Sequence, residues 1–306
     1  MEQILEFKNN FLGKVLVANK KVGFKEVGFL FCLPSLVLIS IFLILPAFMA
    51  LYYSFTDFYL LRPNEISFVG LKNYILVFKD ATFWKAFFNT LYFSLTVVPL
   101  QCTLAFLLAL LVKKSVKGIG IFRMAYFSPV VTSMTVIAIL WIFLYNPNYG
   151  LINVLFEKIG LPKLLFLKSS KQAMPSIIFM SAWQAAGYQM MIFLAGLQSI
   201  PDYLYEAAQI DGAKKFQQFI HITIPSMYNV IVFVIMITTV QAFKLFTQPY
   251  IMTQGGPEDS TKTLVYYIYQ EGFQFRNVGY SSTIAIIFFL LVVMISISLK
   301  KLLKQD

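Results

Sequence analysis

The sequence predicts an all-α membrane protein with six transmembrane helices. Three observations carry that expectation. Of the 306 residues, 58% are hydrophobic and only 13% charged, where a soluble domain has about 45–50% and about 25%. Six apolar runs are long enough to cross the hydrocarbon core, which takes about 20 helical residues. These runs are continuous rather than alternating, which fits helices and not a β-barrel. The same composition excludes a soluble enzyme, which needs more polar surface. It also excludes a disordered chain, which is rich in charge and poor in aromatics; this one is 17% aromatic.

The first run extends from about Gly28 to Tyr53. It is too long for a signal-peptide core and lacks a small-x-small cleavage site, so it is expected to stay. The second runs from Thr90 to Val112, the third from Met124 to Leu144 and the fourth from Ser176 to Leu197. The fifth runs from Ser226 to Phe246 and the sixth from Gly279 to Leu299. Pro34, Pro46 and Pro99 should kink or loosen their helices. Trp84 and Trp141 are expected as interface anchors. Residues 1–27 form a separate N-terminal segment, and residues 28–306 one six-helix domain.

Net charge is +11. In a membrane chain this excess reports topology rather than nucleic-acid binding, because Lys and Arg collect on cytoplasmic segments. One side would hold Lys8, Lys14, Lys20, Lys21 and Lys25, the turn with Lys113, Lys114, Lys117 and Arg123, then Lys214 and Lys215, and the tail with Lys300, Lys301 and Lys304. Both termini are therefore expected in the cytoplasm. Cys32 and Cys102 lie in apolar runs and read as small core hydrophobes. No CxxC pair occurs, and the single His221 cannot build a histidine metal site.

The inner loop from 199 to 225 is the exception among short inner loops. Ser199 is a candidate N-cap, with Pro201 in the first turn. Asp202 and Glu206 lie toward the positive end of the helix dipole. Gly212 after Asp211 is a stop signal. A second helical stretch, from about Ala213 to Ile220, leads to Pro225 and the fifth span. The loop is too structured for a mere connector and too small for a catalytic domain.

Catalytic motifs are missing. There is no G-x-x-x-x-G-K-[ST] loop, HExxH, GxSxG or EF-hand, so the chain itself is not expected to be an enzyme or to hydrolyse ATP. The six spans hold no Asp or Glu, although proton-driven carriers commonly place ionisable relays there. Lys244 is the one basic residue well inside a span. Its ammonium either snorkels to the outer interface or meets a substrate.

The residues Glu206-Ala207-Ala208, then Asp211-Gly212-Ala213, Phe216, Phe219, Ile222 and Ile224-Pro225 resemble the EAA loop of binding-protein-dependent ABC importer permeases. Phe68 to Tyr74 (FVGLKNY), with Phe83 and Asn89-Thr90 after it, resembles the carbohydrate branch (maltose, multiple-sugar and glycerol-phosphate systems). So do Trp183, Ala195 to Pro201 (AGLQSIP), Thr253 to Pro257 (TQGGP), Thr261, Tyr269 and Gly279-Tyr280. The likeness covers the chain from about residue 28 onward. One departure is Asn229, where the family often has a second proline. The resemblance implies the type I, maltose-permease-like fold in a bacterial or archaeal inner membrane. It implies as partners a second homologous permease, two ATPases that use ATP and Mg, an extracytoplasmic solute-binding protein and a sugar. No cofactor is expected on this chain, and no nucleic acid.

The resemblance also implies site residues. Leu204, Glu206, Ala207, Ala208, Asp211, Gly212 and Ala213 would dock on an ATPase. Apolar and small side chains permit close approach, Glu206 offers a carboxylate to a partner arginine, and Gly212 lets the backbone turn. For the substrate path, amides and hydroxyls suit sugar hydroxyls and rings suit sugar faces. Ser181, Gln184 and Tyr188 fall on one face of the fourth span, and Thr238, Gln241 and Leu245 on one face of the fifth. Counting back from Gly255-Gly256-Pro257 puts Thr238, Gln241, Ala242 and Leu245 on the family's sugar-facing positions. In the fourth span either Tyr188 or Gln189 takes that place. Interhelical hydrogen bonding is the competing use of these amides. A secondary sugar carrier and an importer of non-sugar cargo are the alternative readings.

Overall fold

A computed structural model describes residues 24–113 and 118–302. Lys8, Lys14, Lys20, Lys21, Lys114, Lys117 and Lys304 lie outside the described residues, as does most of the expected N-terminal segment. The chain divides into Met1–Tyr53 and Ser54–Asp306. Among the described residues there is no strand, only the isolated bridges Thr56–Phe68 and Tyr59–Asn277.

In the first unit, α1 (Phe24–Ile39) and α2 (Leu45–Ser54) join through a π-helical turn, Ser40–Ile44. Together they give an unbroken span, Phe31–Ser54. The wide turn ends just before Pro46, whose ring would otherwise press on the carbonyl one turn back. Every side chain from Phe31 to Met49 is exposed, as a helix that is apolar all round requires of a membrane span.

The second unit contains α3 (Lys72–Lys79), α4 (Ala81–Val112), α5 (Ile119–Val131), α6 (Met134–Leu144) and α7 (Leu151–Lys158). After these come α8 (Ala173–Gln198), α9 (Asp202–Ile210), α10 (Lys215–Gln218), α11 (Ile224–Phe243), α12 (Leu264–Tyr269) and α13 (Val278–Leu302). Among the described residues of both units, five helices are long and apolar enough to cross a membrane, and the bent pair α5–α6 makes six. α8 is the central one: 67% of its apolar window is buried in protein, against 17% for α13. Phe193, Leu197 and Met190 of α8 meet Met227 and Val234 of α11 and Ala105 and Ala109 of α4. Lipid is as apolar as these side chains, so close packing and interhelical hydrogen bonds hold the bundle rather than water exclusion.

The third span departs from the expected continuous helix over Met124 to Leu144. α5 and α6 meet at 100° across Thr132 and Ser133. Pro129 has no N–H to donate and crowds the preceding turn, and Val130, Val131 and Thr132 are all β-branched. The bend carries Trp141 into the core, 7% exposed, with its ring 5.4 Å from that of Trp183. Trp141 is thus a core residue and not the expected interface anchor. The second span begins earlier than expected, at Ala81, because Asp80 accepts a hydrogen bond from the Thr82 N–H (2.8 Å) and caps the helix. That helix runs unbroken through Pro99. The fifth starts earlier too: α10, a π-helical turn (Phe219–Thr223) and α11 form one helix, Lys215–Phe243, ahead of which no separate second loop helix stands. The π turn again lies just ahead of a proline, Pro225.

The quoted outer motifs stitch distant segments together. Asn73 donates to the carbonyls of Ser54 and Thr56. Asn89 donates to the carbonyls of Asp259 (2.8 Å) and Lys262 (2.9 Å), and Thr90 accepts from the Leu264 N–H. Thr261 bonds Thr253 and the Gly256 carbonyl. Asp80 accepts from the hydroxyls of Tyr267 and Tyr280. Burial works against that carboxylate, but the tyrosines and the Thr82 N–H outweigh it and hold its pKa below the ordinary value.

Two expectations follow for stability. A Cβ at Gly187 would sit 2.1 Å from the Tyr126 carbonyl oxygen, whereas one at Gly196 meets only flexible side-chain atoms of Met227 and Val230 at 3.0 Å. Gly187→Ala should therefore cost about 1–3 kcal/mol, as overpacking does, and Gly196→Ala less; thermal midpoints in detergent decide it. The Asp80 contribution is present above the ordinary carboxylate range and is lost as pH falls through its lowered folded-state pKa. Asp80→Asn should flatten the acid limb of the stability-versus-pH curve.

Candidate functional site

A cavity of about 200 Å³ lies among α4, α6, α8 and α11. Phe93, Val97 and Gln101 line it from α4, Met134 from α6, and Ser181, Gln184 and Ala185 from α8. Thr238, Gln241 and Ala242 line it from α11, and Lys244, Leu245 and Gln248 from the segment that follows. Six of the predicted pathway residues are thus brought together: Ser181, Gln184, Thr238, Gln241, Ala242 and Leu245.

Most of the polar groups there are already paired. Gln184 donates to the Pro129 carbonyl at 3.1 Å, which satisfies a backbone group at the break in the third span. Gln248 donates to the Ser181 hydroxyl at 3.3 Å. Gln189 is fully buried, donates to the Thr238 hydroxyl at 3.3 Å, and lies outside the cavity wall. It makes an interhelical bond, the competing use of such amides. Tyr188 also lies outside the wall, but it is 40% exposed and continues the Ser181–Gln184 face by helical spacing. Tyr188 rather than Gln189 thus extends the open strip.

Gln101 and Gln248 are wall residues that the sequence does not single out, and Lys244, for which it leaves snorkelling and a substrate contact open, is on the wall as well. Gln101 carried a readable signal, an amide in the middle of an apolar run. Gln248 did not, because it lies past the helix end and only the turn after Phe243 swings it back. Lys244 is the residue directly after α11; it borders the cavity and is exposed.

The inner loop carries α9. Pro201 occupies its N-cap position, and Ser199 instead ends α8, its hydroxyl bonding the Gly196 carbonyl at 2.8 Å. The expected Ser199 N-cap is therefore a C-cap. At the other end Gly212 has φ +78°, its N–H bonds the Gln209 carbonyl, and the Ala213 N–H bonds the Ala208 carbonyl at 2.8 Å. That pairing is the left-handed helix stop that glycine permits. Leu204 and Tyr205 pack inward, and the Tyr205 hydroxyl meets that of Thr223 at 3.0 Å. Tyr203, Glu206, Ala207 and Ile210 face outward at i, i+3, i+4 and i+7, with Ile210 87% exposed. Asp211 is exposed beside them, and Ala208 and Ala213 are half-buried. Leu204 thus anchors the helix from behind, and Tyr203 joins Ala207 and Ile210 in the open apolar surface.

A cavity between spans and a fixed loop helix meet in one sequence pattern. The family model "Binding-protein-dependent transport system inner membrane component" matches residues 27–306. The chain belongs to that family. This permease is 37% identical over 284 residues to the probable ABC transporter permease protein YurN of Bacillus subtilis, covering 92% of this chain and 97% of the relative. It is 31% identical to the sulfoquinovosyl glycerol transport system permease protein SmoG of Agrobacterium fabrum, covering 88% of each. A chain of a bacterial alginate ABC transporter, solved with alginate pentasaccharide-bound periplasmic protein, shares the fold. Its TM-score is 0.80 at 23% identity, covering 92% of this permease and 95% of that chain. The permease is accordingly a multi-pass inner-membrane protein of the type I importer fold.

Two of the four glutamines on the wall should separate in experiment. Gln184→Leu strips the Pro129 carbonyl of its partner and should lower the thermal midpoint, by about 0.6–1.7 kcal/mol on the scale of interhelical bonds. Gln241→Leu should leave the midpoint unchanged and impair transport.

Proposed function

We propose that this permease forms half of the translocation pathway of an ATP-driven importer for a sugar or oligosaccharide. The observation that carries the reading is the cavity wall, where amides and hydroxyls from three otherwise apolar helices converge with aromatic Phe93 beside them. Sugar edges call for such donors and acceptors and sugar faces for apolar surface. The name of the relative SmoG, a sulfoquinovosyl glycerol transport system permease protein, supports the same class.

On this reading a second homologous permease supplies the other half of the wall. Two ATPase subunits bind ATP and Mg and hydrolyse the nucleotide, and a solute-binding protein delivers cargo at the outer face. This chain catalyses nothing itself. Its termini and α9 face the cytoplasm, in keeping with the basic residues on those segments. The outward face of α9, with Tyr203, Glu206, Ala207 and Ile210, seats in the ATPase, and Gly212 with Asp211 fixes the angle at which it does so. The Glu206 carboxylate is placed to take a bidentate arginine.

The test is affinity purification of the tagged permease from native membranes, followed by uptake. An ATPase and a second EAA-bearing permease should co-purify. Glu206→Lys should leave the two permeases together and lower ATP-driven uptake by more than about ten-fold, as reversing one member of a buried interfacial charge pair does. Recovery of the chain alone, with uptake that follows the proton gradient, would sink the importer reading.

A further inference from the structure

Three polar groups on the cavity wall have no partner among the described residues. They are the carboxamides of Gln101 and Gln241 and the ammonium of Lys244. The ion pairs among those residues use Arg62, Lys163 and Lys262, and none includes Lys244. The wall has no carboxylate, and the six spans contain no Asp or Glu. A lysine directly after a helix C-terminus often bonds the last carbonyls. Here the Lys244 N–H bonds the Gln241 carbonyl, but its ammonium bonds none of them.

Lys244 and Gln241 are both exposed in this chain and open toward the cavity, and an ionisable residue at the end of a span that faces a cavity marks a substrate or ion path. Gln241 and Lys244 lie three residues apart at the end of α11, and Gln101 faces them from α4. An ammonium with two amide donors around it matches a tetrahedral or planar oxyanion: the ammonium supplies charge and the amides supply N–H groups. The other polar groups of the wall are engaged: Gln248 with Ser181, Gln184 with the Pro129 carbonyl and Thr238 with Gln189 behind the wall, leaving this trio free for a ligand.

We propose that Lys244, Gln101 and Gln241 form an anion subsite in the transport cavity, and that the sugar carried is acidic, bearing a phosphate, sulfonate or carboxylate. The inference rests on the sugar-importer reading and narrows its substrate class. It also gives Lys244 its role: the lysine sets which cargo passes and is not an anchor to the membrane interface.

The test uses the assembled importer in membrane vesicles, with Cys32 and Cys102 of this chain replaced by alanine. Gln241→Cys is then modified with a sulfonate-bearing and a trimethylammonium-bearing methanethiosulfonate, and Gln248→Cys is the second reporter. A unit positive charge within about 6 Å should favour the anionic reagent by about ten-fold in the ratio of rates. Lys244→Gln should abolish that preference and Lys244→Arg keep it. Equal rates for both reagents at both reporters would overturn the proposal, because an acid of the second permease would then neutralise the ammonium. ATP-driven uptake of glycerol 3-phosphate, glucuronate and maltose completes the test. Uptake of an acidic compound that falls at least ten-fold in Lys244→Gln and survives in Lys244→Arg is the expected result. Strong uptake of maltose by the unmutated importer, with neither acidic compound carried, would overturn the acidic-sugar inference and leave the sugar reading standing. A charge-selective thiol in an importer that moves only non-sugar anions would sink the sugar reading and leave the subsite standing.

Discussion

A hydrocarbon solvent offers backbone groups no hydrogen bonds, so a helix can break inside a membrane only where protein takes up what the break releases. The carboxamide of Gln184 on the Pro129 carbonyl answers that demand here. The α5–α6 corner can exist because α8 carries an amide at the right height and, at Gly187, no side chain at all. With any Cβ there, α5 could not come close enough for the bond to form. The corner in turn sends α6 inward, buries Trp141 and places Met134 on the cavity wall. The shape of the cavity thus depends on one glycine and one glutamine of the central helix.

The outer half is held differently. Its loops are long and polar, and they are tied down by single side chains, two of which, Asn89 and Asp80, reach across more than a hundred residues of sequence. Asn89 holds the loop before α12, Thr263 bonds the Leu245 carbonyl just past α11, and Asp80 gathers two tyrosines. Each bond is worth little alone, on the order of 1 kcal/mol. Their common effect is to fix the return of the chain after the fifth span, which is the segment that carries Lys244, Leu245 and Gln248 into the cavity.

The number and order of spans were legible because a run of about 20 apolar residues has few other uses. Their ends were less so. Lys85 and Asn89 lowered the apolar signal over the first turns of α4, although Asp80 was there to cap them, and the α10–α11 helix hid its start behind polar Lys215 and Gln217. The break in the third span was signalled by Pro129 followed by three β-branched residues, but hydropathy is blind to direction. Of the cavity, helical spacing found the members that lie on α8 and α11. It could not find Gln248, which reaches the wall through a turn, and it could not separate Tyr188 from Gln189, whose difference rests on which of them meets Thr238. On α9, spacing located the exposed face once the start of the helix was known. The swap of Ser199 for Pro201 at the cap hid which of Tyr203 and Leu204 looks outward.

The helix from Lys215 to Phe243 is 29 residues long and uninterrupted, about 43 Å at 1.5 Å per residue. One end lies beside α9, tied to it by the Tyr205–Thr223 contact; the other carries Gln241, with Lys244 just past its end. Such a rod is a lever. A tilt of about 5° at the inner end carries the outer end by roughly 4 Å, more than the length of a hydrogen bond. A movement of α9 too small to unfold anything can therefore reach the cavity's polar contacts, with the π-helical turn before Pro225 as the place along the rod that can yield.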